Sequence, residues 1–290
     1  VTRDPCFYGI RKLVIDSAAL ANRQLDIRSC QAVLKDGTVL WLEPGELPDR
    51  LSVEASLAAA ETVRVFLGVP KPEANKPNVG TDGSRRYTVH TEALQDRSTG
   101  GNDQEVELLR LNHRILLSTD DLSGYEVLPI AQIRRVGNRD GVPEIDPNYF
   151  PPALSVDAWE PLGRDVIRGL YDVLGRRIEV LTQQTVDRHV EFTSSEPGDL
   201  HRLFLLSTLV EAQSALRVIA FAPGVHPRTA YLELCRFAGQ LAVFQPEKRL
   251  DELPAYDHDD LARIFREIRR RIDSMLPESP MEAYEQEYFK

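Results

Sequence analysis

The stretch IDPNYFPPALSVDAW, residues 145–159, constrains this chain more than any other. Pro147, Pro151 and Pro152 remove backbone donors and fix φ, so neither a regular helix nor a central strand can run through it. The hydrophobic period also changes there, from about two residues on its N-terminal side to about 3.6 on its C-terminal side. A chain of 290 residues has room for about two domains with separate cores. The expected fold class is therefore α+β. A β-rich sandwich or jelly-roll-like domain over residues 1–152 precedes an α-helical bundle over 153–276 and an acidic tail, PESPMEAYEQEYFK, over 277–290.

In the first half, GIRKLVIDSAAL alternates around Ile10, Leu13 and Ile15. DIRSCQAVLKDGTVLWL runs through Ile27, Val33 and Leu34, turns at Asp36-Gly37 and returns through Val39 and Trp41, a strong hairpin signal. ETVRVFLGVP alternates at Val63, Val65 and Leu67 until Pro70. PKPEANKPNVGTDGSRR and QDRSTGGND, rich in Pro, Gly, Asn and Ser, are expected to be long, mobile surface loops. EVELLRLNHRILLS and GYEVLPIAQIRRV are expected to pair with each other over TDDLSG.

In the second half, Leu162, Val166, Leu170, Leu174, Ile178 and Leu181 recur every three or four residues, the mark of a long amphipathic helix. Gly169 and Gly175 lie inside it at a cost of about 1 kcal/mol each relative to Ala, which calls for close packing against a neighbour. LHRLFLLSTLVEAQSALRVIAF is apolar nearly all round, and such a helix is expected at the centre of a bundle. Gly224 can close it, and Pro227 suits the first turn of the next helix, which carries Tyr231, Leu234, Phe237, Ala238 and Leu241 on one stripe. A fourth helix is expected from about Asp259 to Met275, making a four-helix assembly.

Net charge and cysteines exclude several function classes. With 35 basic and 45 acidic residues the chain carries −10, and residues 1–152 alone hold 18 basic against 22 acidic side chains, a field that repels a phosphate backbone. Nucleic acid is not an expected partner. Cys6, Cys30 and Cys235 are far apart and form no CxxC pair, so they read as free thiols of a reducing compartment. No run approaches the roughly 18 consecutive apolar residues of a membrane span, so no direct membrane insertion is expected and the expected compartment is the cytoplasm.

Chemistry-bearing motifs are scarce. YDHDDLARIF places Asp257, His258, Asp259 and Asp260 in a row, but adjacent residues on a helix diverge by about a hundred degrees and only i, i+3 or i, i+4 neighbours share a face. The spacing is explained by capping: Asp257 at the N-cap, Asp260 three residues on, and Asp259 at the positive end of the helix dipole. No metal, cofactor-binding or catalytic residue is assigned. The six histidines are scattered, and no nucleophile elbow, P-loop, dinucleotide fingerprint or H-E-x-x-H occurs. Arg263, Arg266, Arg269, Arg270 and Arg271 form a solvated face with helix ion pairs Asp259–Arg263 and Glu267–Arg271, in preference to a binding surface for an acidic partner.

Several stretches together resemble the type VI secretion baseplate TssK (ImpJ/VasE) family: YGIRKLVIDSAALANRQLDIRSCQAVLKDGTVL and LSGYEVLPIAQIRRV are similar to its shell strands, IDPNYFPPAL to its junction, and VHPRTAYLELCRFAGQLAVF and PAYDHDDLARIF to its helical segments. The resemblance runs through nearly the whole chain in family order. It implies a shell and a neck, with the family's opening segment and C-terminal head expected to lie outside these residues. It also implies a homotrimeric, non-enzymatic adaptor without a cofactor. Its shell would dock on baseplate wedge proteins of the TssF/TssG type, and its head would meet the membrane complex at the inner face of the bacterial inner membrane. The stripe Leu162, Val166, Leu170 and Leu174 is the candidate trimer and neck packing surface, and Asp257, Asp260 and Pro227 are assigned as helix-cap residues. The rival readings are an enzyme with a β-rich substrate domain and helical cap, and an extracellular phage-type receptor-binding protein.

Overall fold

The computed structural model describes residues 5–43, 46–81, 83–137 and 141–276. It has two compact units, Val1–Asp146 and Pro147–Lys290, divided at the first proline of the stretch where the hydrophobic period changes. The fold is α+β, with antiparallel sheets in the first unit and helices in the second.

The first unit opens with β1 (Gly9–Ile15), a short helix α1 (Ser17–Ala21), β2 (Gln24–Leu25), β3 (Ile27–Val33) and β4 (Val39–Leu42). Strands β1, β3 and β4 form one sheet in that order, with Leu13 opposite Cys30 and Val33 opposite Val39. The β3–β4 turn forms where Asp36-Gly37 predicts it. Gly37 takes φ +85°, which suits a residue without Cβ, and the Asp36 carboxylate accepts from Thr38 N–H at 2.8 Å. The chain continues through β5 (Leu51–Ser52), which pairs with β2, and the helix α2 (Glu54–Ala59).

Next come β6 (Thr62–Pro70), β7 (Tyr87–Asp96), β8 (Gly101–Leu111), β9 (Arg114–Leu117), β10 (Tyr125–Arg135) and β11 (Pro143–Ile145). The second sheet has the order β11-β10-β6-β9. Val63, Val65, Leu67 and Val69 of β6 and Leu128, Ile130, Ala131 and Ile133 of β10 supply its buried side chains. Pro129, which cannot donate to a ladder, sits where the β10–β6 register shifts.

Two expectations fail here. The pairing of EVELLRLNHRILLS with GYEVLPIAQIRRV is replaced by pairing of both β9 and β10 with β6, while β8 pairs with β7. The break is Asn112-His113, which separates β8 from β9: Asn112 turns back, its N–H donating to Arg86 O and its side chain to Arg85 O. QDRSTGGND is also not a long loop. It closes the β7–β8 ribbon in a tight turn, with Asp96 opposite Gly101. The ribbon is anchored at its base by Arg86, buried, which donates to Pro70 O and Thr38 Oγ1 and pairs with Asp36 at 3.0 Å.

The second unit holds four long helices among the described residues: α3 (Gly169–Asp187), preceded without a break by wider π-type turns over Pro161–Arg168, then α4 (Asp199–Phe221), α5 (Pro227–Ala242) and α6 (Leu261–Met275). α3 packs on α4, α4 on α5, α5 on α6, and α6 returns to the π-type turns. Gly175 permits a close approach, since a Cβ there would lie 2.9 Å from Gln213 Nε2 of α4, whereas at Gly169 the space is ordinary. Pro227 takes the first position of α5, and its cap is His226, whose Nδ1 accepts from Arg228 N–H at 3.1 Å.

Asp257 is not the N-cap of α6. Asp260 is, accepting from Arg263 N–H at 3.3 Å, while Asp257 accepts from Asp259 N–H in the preceding turn. Arg263 accordingly pairs with Asp260 and Asp257. Asp260→Ala should therefore lower stability by about 1 kcal/mol, and Asp257→Ala by less, in urea unfolding followed by circular dichroism. A larger loss at Asp257 would contradict this cap assignment.

Candidate functional site

The Asp-His-Asp-Asp string divides by direction. Asp257, Asp259 and Asp260 reach solvent at least in part, and His258 turns inward, 5% exposed. Its ring stacks on the α5 cap His226, with centroids 5.4 Å apart and planes 10° from parallel, and its Nδ1 lies 2.8 Å from Tyr256 Oη. Tyr231 extends this cluster between Tyr256 and Phe265, donating its hydroxyl to Pro254 O. The string thus joins the starts of α5 and α6. Two histidines far apart in sequence meet here, which their scatter along the chain did not suggest. Among the described residues no three His, Cys, Asp or Glu side chains gather as metal ligands.

The cysteines also lie apart. Cys6 and Cys235 are half-buried, and burial pushes the Cys30 thiol up to about 12, which keeps it protonated and unreactive.

Leu162, Leu170 and Leu174 are fully buried and Val166 nearly so, inside the helical unit of one chain. Side chains without exposed surface have none left to bury against another copy. An exposed row of side chains lies on α4, which is not enclosed as its nearly all-round apolar sequence predicts. Leu205, Leu209, Leu216 and Ile219 are buried, but Leu200, Phe204, Ser207, Glu211, Ser214, Val218 and Phe221 face solvent at alternating spacings of four and three. Phe204 is 57% and Val218 60% exposed. That spacing places them on one face of the helix, apolar at both ends and polar in the middle. By length and composition alone α4 could also cross a membrane. One side of it packs in the helical unit, and its first turn holds a buried Asp199–Arg202 pair at 3.1 Å.

The arginines of α6 are largely satisfied locally. Arg271 and Arg270 pair with Glu267, Arg269 with Asp273, and Arg266 lies over the Phe150 ring at 5.1 Å while donating to Pro147 O. Arg270 and Arg271 share one carboxylate and Arg266 is held by a carbonyl and a ring, so the face keeps a net positive charge, with Arg269 and Arg271 largely covered.

In the first unit, two surfaces went unremarked in the sequence. The β7–β8 ribbon is exposed over most of both strands, and its tip is tied by Asp96, which accepts from the Ser98 hydroxyl at 2.6 Å, from Ser98 N–H at 2.8 Å and from the Thr99 hydroxyl at 2.8 Å. Beside the ribbon's base, a cleft of about 490 Å³ is bounded by Val39–Leu42 of β4, by Glu46 and Asp49, and by Thr88, Arg110 and His113. Trp41 stands on its wall 60% exposed, its indole N–H donating to Glu43 Oε1 at 2.9 Å. The available signal was Val39-Leu40-Trp41-Leu42 itself: in a strand of period two, four apolar residues in a row make both faces apolar.

The helical unit leaves apolar side chains of α4 exposed, and the β unit has β4 at a sheet edge and an exposed ribbon, surfaces of a kind that suit protein contacts. The chain belongs to the TssK family of type VI secretion proteins: the family described as "Bacterial Type VI secretion, VC_A0110, EvfL, ImpJ, VasE" matches residues 2–286. It is 27% identical over 267 residues to the type VI secretion system baseplate component TssK1 of Pseudomonas aeruginosa, covering 89% of this chain and 58% of that relative. Its fold is similar to a crystal structure of TssK, with TM-score 0.83 and 19% identity over 95% of this chain and 64% of that one. It is also similar to a chain of the TssK-TssF-TssG baseplate subcomplex, with TM-score 0.78 and 24% identity over 93% and 86%.

The hydroxyl of Ser98, then its N–H and the Thr99 hydroxyl, hold the Asp96 carboxyl down at about 2. A depressed carboxyl contributes stability that is fully present above its unfolded pKa of about 3.9 and is lost as pH falls through the folded value. The ribbon tip should keep its turn from neutral pH down to about pH 4 and lose it towards pH 2. The carboxyl carbon shift of Asp96 followed by NMR checks this, and a midpoint near an ordinary 4 would mean that the tip bonds do not form.

Proposed function

We propose that this chain is the shell and neck portion of a type VI secretion baseplate component, a structural adaptor that assembles as a homotrimer and docks through its β unit on wedge proteins of the TssF/TssG type. It is not an enzyme: its family's named relatives are parts of an assembly. The observation that carries the reading is the match of the type VI secretion family to residues 2–286, together with 27% identity to a baseplate component. Contact with the membrane complex would fall to the part of such relatives that this chain does not span, since it covers 58% of the curated one. The adaptor would work in the cytoplasm at the inner face of the inner membrane.

The open seam on α4 supports self-association. Burying apolar area gains about 25 cal/mol per Å², and Phe204, Val218 and Phe221 hold the largest uncovered apolar side chains of that seam. In the trimer reading this seam takes the role expected of the Leu162, Val166, Leu170 and Leu174 stripe, which serves the protomer's own core.

Light scattering should give three times the 32.7 kDa chain mass. Phe204→Glu with Val218→Glu should reduce it to one chain without unfolding the helical unit. Leu170→Ala should instead cost about 2–5 kcal/mol of stability without shifting the assembly state of the folded protein. The same preparation should retain purified TssF–TssG in a pull-down. A clean monomer at micromolar concentration would refute the trimer, and failure to retain the wedge would refute the docking.

A further inference from the structure

We propose that the cleft beside β4 is the seat of an extended segment of the wedge partner, which adds to the β1-β3-β4 sheet as an outer strand. The inference rests on the wedge-docking reading above and deepens it by naming the surface and the form of the partner.

Three observations lead there. First, β4 is paired only with β3, so its other edge is open among the described residues. Second, the cleft touches Val39, Leu40, Trp41 and Leu42 together. Successive strand residues point to opposite faces, and here Leu40 and Leu42 are in the core while Val39 and Trp41 are 62% and 60% exposed. A concavity that reaches all four consecutive residues therefore runs along the backbone edge, where a strand presents its unpaired N–H and C=O groups. Third, the walls differ in chemistry. Trp41 and Val39 form an apolar side, with the indole N–H already satisfied, and one guanidinium, Arg110, paired to Glu46 at 3.2 Å, stands among two carboxylates, Glu46 and Asp49.

These features select the occupant. A backbone edge is completed by another extended backbone, not by a helix or a flat surface. Four residues of β4 span about 13 Å, room for a partner strand of about four residues. Alternate side chains of that strand lie on Val39 and Trp41 and are apolar. The surplus carboxylate on the rim favours a basic residue at the strand's end.

Hydrogen exchange on the 290-residue chain, with and without purified TssF–TssG, tests this. Amides within residues 39–42 should exchange more slowly in the complex. Trp41→Ala and Val39→Lys should each weaken wedge binding by about tenfold or more, and Trp41→Phe should retain most of it. Phe192→Ala, at another highly exposed aromatic position, should change nothing. Trp41 and Val39 are mostly exposed, so these variants should melt with the unsubstituted chain. Wedge binding by the unsubstituted chain that persists undiminished in both Trp41→Ala and Val39→Lys overturns the cleft and leaves the docking reading standing. No wedge binding by the unsubstituted chain overturns the docking reading and this inference with it.

Discussion

A helix that is apolar nearly all round can be enclosed only by neighbours nearly all round, and α3, α5 and the π-type turns cover α4 only in part. The rest of the helical unit is arranged around that constraint. Its packed face sets the close approach to α3 at Gly175 and receives α5 on its flank. At its C-terminal end Phe221 is held between Tyr171, edge-to-face at 5.2 Å, and the Arg168 guanidinium at 5.5 Å, yet more than half of its surface stays open. Four helices do not supply enough cover for a sequence this apolar. Under the proposed assembly, that surplus is the surface a second copy would cover.

The second joint of that unit is polar and aromatic. α5 and α6 begin where the paired rings of His226 and His258 meet, with Tyr256 tilted against Tyr231 and Tyr231 edge-on to Phe265 behind them. His226 caps α5 by accepting at Nδ1 from Arg228 N–H, and His258 engages Tyr256. A string that looks like a ligand set therefore acts as a clasp between two helix starts, with the carboxylates left at the surface as cap and ion-pair partners.

The helices could be read from the sequence because a period of 3.6 is local, and Gly224, Pro227 and Gln245-Pro246 punctuate it where the chain turns. The strands themselves could be read for the same reason. Their pairing could not: β6 collects β9 and β10 from about fifty and sixty residues away, and nothing in a local pattern says which apolar run finds which. Asn112-His113 was the one local sign that EVELLRLNHRILLS is two strands, a polar pair inside an apolar run. The capping shift from Asp257 to Asp260 is of the same kind. Both residues satisfy the rule for a cap, and only the backbone path decides between them. The β4 cleft was hidden for another reason. Its wall comes from β4, the loop after it and the base of a ribbon whose two strands contribute Thr88 and Arg110, far along the chain, so its concavity exists only in three dimensions, although Trp41 on an outward face was visible.

The two open surfaces are energetically connected under the proposed assembly. A partner strand of about four residues adds only a few backbone hydrogen bonds, each about 1 kcal/mol net, and one aromatic contact, against the cost of ordering that segment. A single cleft is therefore a weak site. Assembly through α4 presents several identical clefts to a wedge that carries more than one segment, and each later engagement becomes intramolecular at an effective concentration in the millimolar range. Self-association supplies the avidity that a short edge strand lacks. A chain with its cleft intact but its seam disrupted would then bind a single isolated segment normally and an entire wedge poorly, which separates the contribution of the contact from that of the assembly.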